Sequence, residues 1–122
     1  MRDKRHDILF DPIRLGPVLS KNRFYQVPHC TGMGWQRPNT LAAMRGVKAE
    51  GGWGVVCTEY CSVHPTSDDA SYPFTKLWND DDIKSHALVT DNIHKHNALA
   101  GVELWLGGNF VANFDTRDRK ST

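Results

Sequence analysis

The strongest constraint on the fold is an alternation of β-forming stretches with segments that carry a helical pattern. Strands are predicted over residues 22–30, 53–60 and 98–106, and helices are predicted over 41–50 and from residue 79 onward. Strand–helix–strand units form parallel sheets with right-handed crossovers. The sequence therefore predicts an α/β fold in which the three strands run in the same direction.

The middle strand changes character along its length. Its first half, Val55, Val56 and Cys57, is apolar, which suits a parallel strand that is buried on both faces. Its second half, 58–60, is polar, and the first strand likewise ends in the polar stretch 28–30. Ligands of parallel α/β folds bind at the C-terminal ends of the strands. We therefore expect functional side chains to gather at this end of the sheet.

Pro28, His29 and Cys30 form a candidate site at the end of the first strand. Pro28 has no N–H to donate to a strand ladder, so it is expected where the strand ends. His29 and Cys30 then lie at the mouth of the sheet. From these residues alone, an inert loop thiol is the simpler interpretation of Cys30.

Glu103 is a charged residue within the otherwise apolar third strand, near its C-terminal end. Burying a carboxylate without a partner is costly, so we expect Glu103 to have one. A functional role is the favoured interpretation, and a structural ion pair is the alternative.

Two further segments are expected to frame the strands. Residues 8–10 and 13–15 are predicted to pair around an Asp-Pro turn, as a hairpin that covers the bottom of a sheet or barrel or serves as an edge ribbon. Residues 62–78 are predicted to form a long loop over the mouth of the strands, and such loops are often functional. The polar tail, 109–122, is predicted to fray.

The two helices have predicted inner faces. The first is expected to bury Leu41, Met44 and Val47, which recur at a spacing of three. The second opens with consecutive aspartates, which favour the positive end of the helix dipole. Its predicted inner face is an apolar arc formed by Ile83, Ala87, Val89, Thr90 and Ile93.

Length and charge limit the classes of function. The 122 residues fit one domain, and 15 basic against 14 acidic residues give a net charge of +1. A nucleic-acid-binding domain is usually clearly basic, so that class is disfavoured. No apolar run approaches the roughly 18 residues of a membrane span. The charged N-terminus has no apolar stretch behind it, so no secretory signal is predicted and the cytoplasm is the expected location.

The cysteines do not suggest a disulfide framework or a metal site. There are three of them, Cys30, Cys57 and Cys61, and an odd number without a secretory signal argues against paired disulfides. Cys57 and Cys61 lack the spacing of zinc knuckles. Cys57 is interpreted as a small core residue, and Cys61 is left open. His94 and His96 point to different faces of a helix, so no metal site is predicted there either.

The sequence resembles the N-terminal part of the Old Yellow Enzyme-like FMN oxidoreductases, and within that family it is most similar to the trimethylamine and dimethylamine dehydrogenase branch. The resemblance covers nearly the whole chain and is carried by four stretches, Lys21–Cys30, Lys48–Gly54, Thr58–Ser62 and Ala98–Trp105.

The resemblance implies an incomplete (β/α)8 TIM barrel over residues 1–122, made of an N-terminal β-hairpin, the first three strands and two helices. A complete barrel of this kind needs about 250 residues. We therefore expect a truncated or split gene product that is inactive and folds poorly by itself, because three strands leave open edges.

The resemblance also implies roles for individual residues. Cys30 matches the cysteine that is joined through sulfur to C6 of the FMN ring, and Pro28 and His29 match neighbours of the flavin. Glu103 matches a polar residue at the pyrimidine edge of the ring. Tyr60 matches a catalytic and substrate-binding wall, where an aromatic face attracts an alkylammonium group by cation–π contact.

In the family, a small alkylamine is oxidised to an iminium, which water hydrolyses to an aldehyde and a smaller amine. Electrons then pass to a 4Fe-4S cluster and an electron-transferring flavoprotein. This sequence has no Cys-x-x-Cys motif for such a cluster. One alternative is an Old Yellow Enzyme-type NAD(P)H:flavin oxidoreductase or ene-reductase that holds its flavin non-covalently. The other is a non-catalytic half-barrel that acts as an interaction module or assembles with copies of itself.

Overall fold

The computed structural model describes residues 3–67 and 74–108, so the whole of the predicted polar tail, 109–122, lies outside the described residues. Within these ranges it contains six strands and two α-helices. The strands are β1 (Ile13–Leu15), β2 (Val18–Ser20), β3 (Tyr25–Gln26), β4 (Val55–Ser62), β5 (Thr75–Lys76) and β6 (Leu99–Trp105), and the helices are α1 (Pro38–Glu50) and α2 (Ile83–His94).

The central element is β4, and its neighbours β3, β5 and β6 all pair with it in parallel. β3 pairs with the first residues of β4, β5 pairs with its last residues, and β6 follows it along its length. The prediction of an α/β fold with a parallel sheet is therefore confirmed. The elements form the opening part of a (β/α)8 barrel, as expected.

The core lies between β4 and the two helices. Val56 of β4 is fully buried against Leu41 of α1 and Ile93 of α2. Every residue of β4 except Tyr60 is buried, so the interpretation of its apolar first half is confirmed. Burying each large aliphatic side chain stabilises the fold by about 1.5–3 kcal/mol. The remaining members of the core cluster are Ala42, Ala49, Val89 and Ala98.

The predicted inner face of α1 is partly wrong, because Val47 is 66% exposed. The buried residues of this helix include Ala42, Arg45 and Gly46 as well as Leu41. A Cβ atom on Gly46 would lie only 3.4 Å from the Cβ of Asn92, so the two helices approach each other closely there. The buried face of this helix is therefore identified better by its small residues, Ala42 and Gly46, than by the spacing of its large apolar residues.

The predicted hairpin pairs different segments from those expected. Lys4–Phe10 is a 3-10 helix, with the side chain of Asp3 accepting a hydrogen bond from the Arg5 N–H at its start. The hairpin that forms joins β1 to β2, and it turns at Gly16, where φ is +55°. Glycine tolerates this left-handed conformation, which explains why the turn lies there.

The boundaries of three other segments also differ from the predictions. The first predicted strand is reduced to the two residues of β3. The predicted long loop contains a 3-10 turn, Pro65–Ser67, and the short strand β5, while residues 68–73 lie outside the described residues. Along α2 only Val89 and Ile93 are buried, and Ile83 is 53% exposed, so the predicted apolar arc is too wide.

Candidate functional site

The predicted site residues lie at the C-terminal ends of the parallel strands. Tyr60 on β4 is the register partner of Glu103 on β6. Tyr25 pairs with Val55, and Cys30 follows Tyr25 by as many residues as Tyr60 follows Val55. The phenol and the carboxylate are therefore neighbours by strand register, and the thiol follows the C-terminal end of a strand parallel to theirs, so all three belong to one end of the sheet.

Tyr60 belongs to an aromatic cluster at this end. Its ring centre lies 5.1 Å from that of Phe74 and 5.7 Å from that of Trp105. Tyr60 and Phe74 are half-buried and Trp105 is 39% exposed, so the cluster presents aromatic surface to solvent. The sequence analysis missed Trp105, although it lies two residues after Glu103, a spacing that places residues on the same face of a strand.

Cys30 and His29 are exposed, and Pro28 is half-buried. Of the three cysteines in the chain, only Cys30 is exposed. The side chain of Cys30 is therefore the accessible thiol of this molecule, and it follows the end of a parallel strand, where the sequence analysis expected it.

The loop after Cys30 is held by Glu59, a fully buried residue of β4. One carboxylate oxygen, Oε2, accepts hydrogen bonds from the N–H of Thr31 at 2.6 Å, the hydroxyl of Thr31 at 2.7 Å and the N–H of Gly32 at 3.0 Å. The other, Oε1, accepts from the N–H of Gly34 at 2.7 Å. These four donors compensate for the burial of a carboxylate, and they tie the loop to the sheet.

Gly34 is required where this loop meets β5. A Cβ atom at this position would lie 1.9 Å from Cγ2 of Thr75 and 2.7 Å from Oε1 of Glu59. The neighbouring Trp35 donates its backbone N–H to the carbonyl of Phe74 at 2.6 Å. The loop that follows Cys30 is therefore packed closely against the segment that carries Phe74.

Arg45 of α1 is the second fully buried charged residue near Cys30. Its Nη2 donates a hydrogen bond to the carbonyl oxygen of His29. Its Nε and Nη1 atoms are buried and have no hydrogen-bond partner among the described residues. Burial lowers the pKa of Arg45, and the negative charge of Glu59 opposes that shift. Neither Arg45 nor Glu59 is predicted as a site residue from the sequence.

Glu103 is exposed, so the expectation that its carboxylate is buried with a partner does not describe this structure. Its strand, β6, pairs with β4. From Val102 to Trp105 every residue of β6 is exposed. The carboxylate therefore keeps access to water beside the Tyr60 cluster.

The side chain of Cys57 is buried against the neighbouring strands β3 and β6 and does not join the exposed residues at the C-terminal ends of the strands. Its thiol donates a hydrogen bond to the Tyr25 hydroxyl at 3.2 Å, and a Cβ atom on Gly101 would lie 2.5 Å from its sulfur. Burial raises the pKa of Cys57, and burial also raises the pKa of Cys61 to about 11. Both thiols therefore remain protonated at neutral pH, which leaves Cys30 as the accessible nucleophile.

The described residues contain no group of three or more histidine, cysteine or acidic side chains arranged to hold a metal ion. No helix within 3–67 or 74–108 has the length and apolar character needed to cross a membrane.

An accessible thiol, an aromatic cluster and a carboxylate therefore lie at the mouth of a parallel α/β sheet that forms part of a barrel. Residues 8–121 match the model of the NADH:flavin oxidoreductase / NADH oxidase family. The chain belongs to this family.

Three relatives are similar over most of this chain. Dimethylamine dehydrogenase of Hyphomicrobium sp. (strain x) is 47% identical over 116 residues, which are 95% of this chain and 16% of the relative. The structure of histamine dehydrogenase from Rhizobium sp. 4-9 has a TM-score of 0.87 and 48% identity, over 95% of this chain and 18% of that protein. The structure of 6-hydroxypseudooxynicotine amine oxidase from Pseudomonas geniculata N1 has a TM-score of 0.83 and 50% identity, over 89% of this chain and 16% of that protein. The chain thus spans less than a fifth of the length of these relatives.

Proposed function

We propose that this chain supplies the first strands of an FMN-dependent amine dehydrogenase and carries part of both its flavin site and its amine site. The observation that carries the proposal is the accessible thiol of Cys30 at the same end of the sheet as the aromatic cluster of Tyr60. The similarity to a dimethylamine dehydrogenase and a histamine dehydrogenase supports an amine as the substrate.

On this proposal, Pro28, His29, Cys30 and Glu103 contribute to binding FMN. The positions of an exposed thiol and an exposed carboxylate support this assignment: Cys30 follows β3 and Glu103 lies on β6, and these two strands pair with opposite edges of β4. Sγ of Cys30 would be the protein's point of covalent attachment to C6 of the ring. Forming that bond would be a two-electron oxidation that removes one hydrogen from the thiol and one from the ring, and dioxygen would accept both as hydrogen peroxide.

Tyr60 forms one wall of the amine site. A protonated or quaternary amine is attracted to an aromatic face by about 0.5–2 kcal/mol, depending on how far the contact is desolvated. Phe74 and Trp105 extend this wall in the structure. The bound flavin supplies the two-electron oxidation of the amine, and the side chains of this chain orient the substrate and exclude water from it.

The remaining parts of the reaction require residues beyond this chain. The proposal includes a partner that completes the barrel, either as a continuation of the same protein or as a complementing chain. It also includes transfer of electrons to a 4Fe-4S cluster and an electron-transferring flavoprotein. These partners follow from the family resemblance.

The test is reduction of the flavin by amines in the protein as its gene encodes it, purified with excess FMN. Dimethylamine, trimethylamine and histamine are each added without oxygen, and the loss of flavin absorbance is followed. Trp105→Leu should weaken the apparent amine affinity about tenfold, the equivalent of 1.4 kcal/mol. Trp53→Leu is the matched control, because Trp53 is similarly exposed, at 37%, but lies before the start of β4.

Reduction by an amine, with the effect confined to Trp105→Leu, supports the proposal. Reduction by NAD(P)H but by none of the amines would instead support an Old Yellow Enzyme-type oxidoreductase, which the family description favours. A defined oligomer that binds no flavin would support a non-catalytic half-barrel. That alternative is favoured by the exposed apolar residues Val102, Leu104 and Leu106.

A further inference from the structure

We infer that Glu59 and Arg45 are positioning residues that fix the backbone on both sides of Cys30, so that the thiol is presented to the flavin in one orientation. The inference rests on the proposed flavin site and adds two residues to it. Neither residue is expected to touch the flavin, because both are fully buried while the thiol is exposed.

The backbone after Cys30 is held by Glu59. Its carboxylate accepts the N–H of the next residue, Thr31, at 2.6 Å, and also the N–H groups of Gly32 and Gly34. An ionised acceptor makes stronger hydrogen bonds than a neutral one. Three successive anchor points within four residues leave this part of the loop little freedom to move relative to β4.

The backbone before Cys30 is held by Arg45, whose Nη2 donates to the carbonyl oxygen of His29. Cys30 is thus bracketed by a carbonyl bound to a buried cation and an N–H bound to a buried anion. The two charges also stabilise each other. Two fully buried charged side chains therefore hold the backbone on the two sides of Cys30.

The chemical consequence concerns the geometry of bond formation. A sulfur atom attacks a planar ring only from a restricted set of positions, and a misplacement of about 1 Å can slow such a step about 10²-fold. An exposed side chain on an untethered loop would sample many orientations. Tethering the backbone on both sides restricts the thiol to the few rotamers of one side chain.

Two substitutions remove one anchor each and keep the side-chain volume. Glu59→Gln places an NH₂ group opposite at least one backbone N–H, since its single carbonyl oxygen cannot occupy both acceptor positions. Arg45→Met removes the donor to His29. Ile93→Ala is the control for lost stability, because Ile93 is fully buried in the core beside α1 and its apolar side chain makes no hydrogen bond to the backbone on either side of Cys30.

The experiment uses the protein as its gene encodes it, with FMN in excess, and measures total bound FMN and FMN that stays attached after acid precipitation. Glu59→Gln and Arg45→Met should slow covalent attachment at least about tenfold while the affinity for free FMN changes much less. Ile93→Ala should lower stability and leave the rate of attachment unchanged. Equal rates in all variants, or a loss that follows stability alone, would overturn the inference.

A measurement on the unaltered, flavin-free protein covers the case in which a variant does not fold. Amide hydrogen exchange should show strong protection at Thr31, Gly32 and Gly34, and exchange at the rate of an unstructured peptide would refute the anchoring. If the unaltered protein is protected there but never acquires covalent FMN, the proposed covalent site fails while the anchoring stands. The two failures are therefore distinguishable.

Discussion

The ammonium group of Lys76 lies over the indole ring of Trp35, 5.2 Å from its centre. It also lies 5.0 Å from the ring centre of Trp78, and its Nζ is 3.3 Å from a carboxylate oxygen of Asp82. The side chains of Lys76 and Asp82 are only 18% and 9% exposed. Lys76 therefore connects the loop after Cys30 to the start of α2.

Replacing Lys76 with Met should destabilise the fold by about 2 kcal/mol, because a cation–π contact and a shielded ion pair are lost together. The matched control is Lys84→Met, since Lys84 pairs with Asp81 at 3.0 Å on the open surface. That change should cost less than about 0.5 kcal/mol. Urea unfolding measures both, and equal midpoints for the two variants would show that Lys76 contributes no more than a surface charge.

Replacing Gly101 with Ala should destabilise the fold by about 1–3 kcal/mol, because the new methyl group would lie 2.5 Å from the sulfur of Cys57. Adding Cys57→Ala removes that sulfur, and the nearest remaining side-chain carbon of residue 57 would lie 3.7 Å away. The double variant should therefore recover part of the lost stability. Additive effects in a double-mutant cycle would contradict this close contact between β4 and β6.

Cys61 should make stability fall between about pH 9 and pH 11. Its pKa is 9.0 without perturbation and is raised to about 11 in the folded state by burial. Above pH 9 the unfolded chain loses this proton and the folded chain keeps it, so unfolding becomes easier as the pH rises. Two units correspond to about 2–3 kcal/mol. Cys61→Ala should flatten this part of the stability profile, and an unchanged slope would exclude Cys61 as its source.

The parallel sheet could be predicted from the sequence because strands and helices have local patterns, and the same patterns direct Cys30 and Tyr60 to one end of that sheet. The apolar first half of β4 predicts burial on both faces. Tyr60 follows this apolar stretch and Cys30 follows β3, so both residues lie toward the C-terminal end of the parallel strands. The family assignment rested on short stretches around these residues. It needed no knowledge of the helices' packing.

The sequence could not reveal the support beneath the site, because that support depends on contacts between distant residues. Glu59 and Thr31 are 28 positions apart, and no pattern in the sequence around Glu59 predicts that four hydrogen-bond donors will surround its carboxylate. Charged residues are usually exposed, and the apolar spacing of α1 predicts burial of Val47, so the sequence gives no sign that Arg45 is buried. Only the close approach of α2 at Gly46 shows which face of α1 is buried.

The most direct test of the account is the mass of the peptide that contains Cys30. The protein that the gene encodes is purified with FMN and denatured, and the mass of this peptide is then measured. Trypsin should release residues 24–45, because the bond after Arg37 precedes proline, and this peptide contains neither Cys57 nor Cys61. We predict that the peptide carries the mass of one FMN less two hydrogens, and that Cys30→Ala abolishes the adduct. FMN recovered entirely as the free cofactor, or an adduct that persists in Cys30→Ala, would contradict the account.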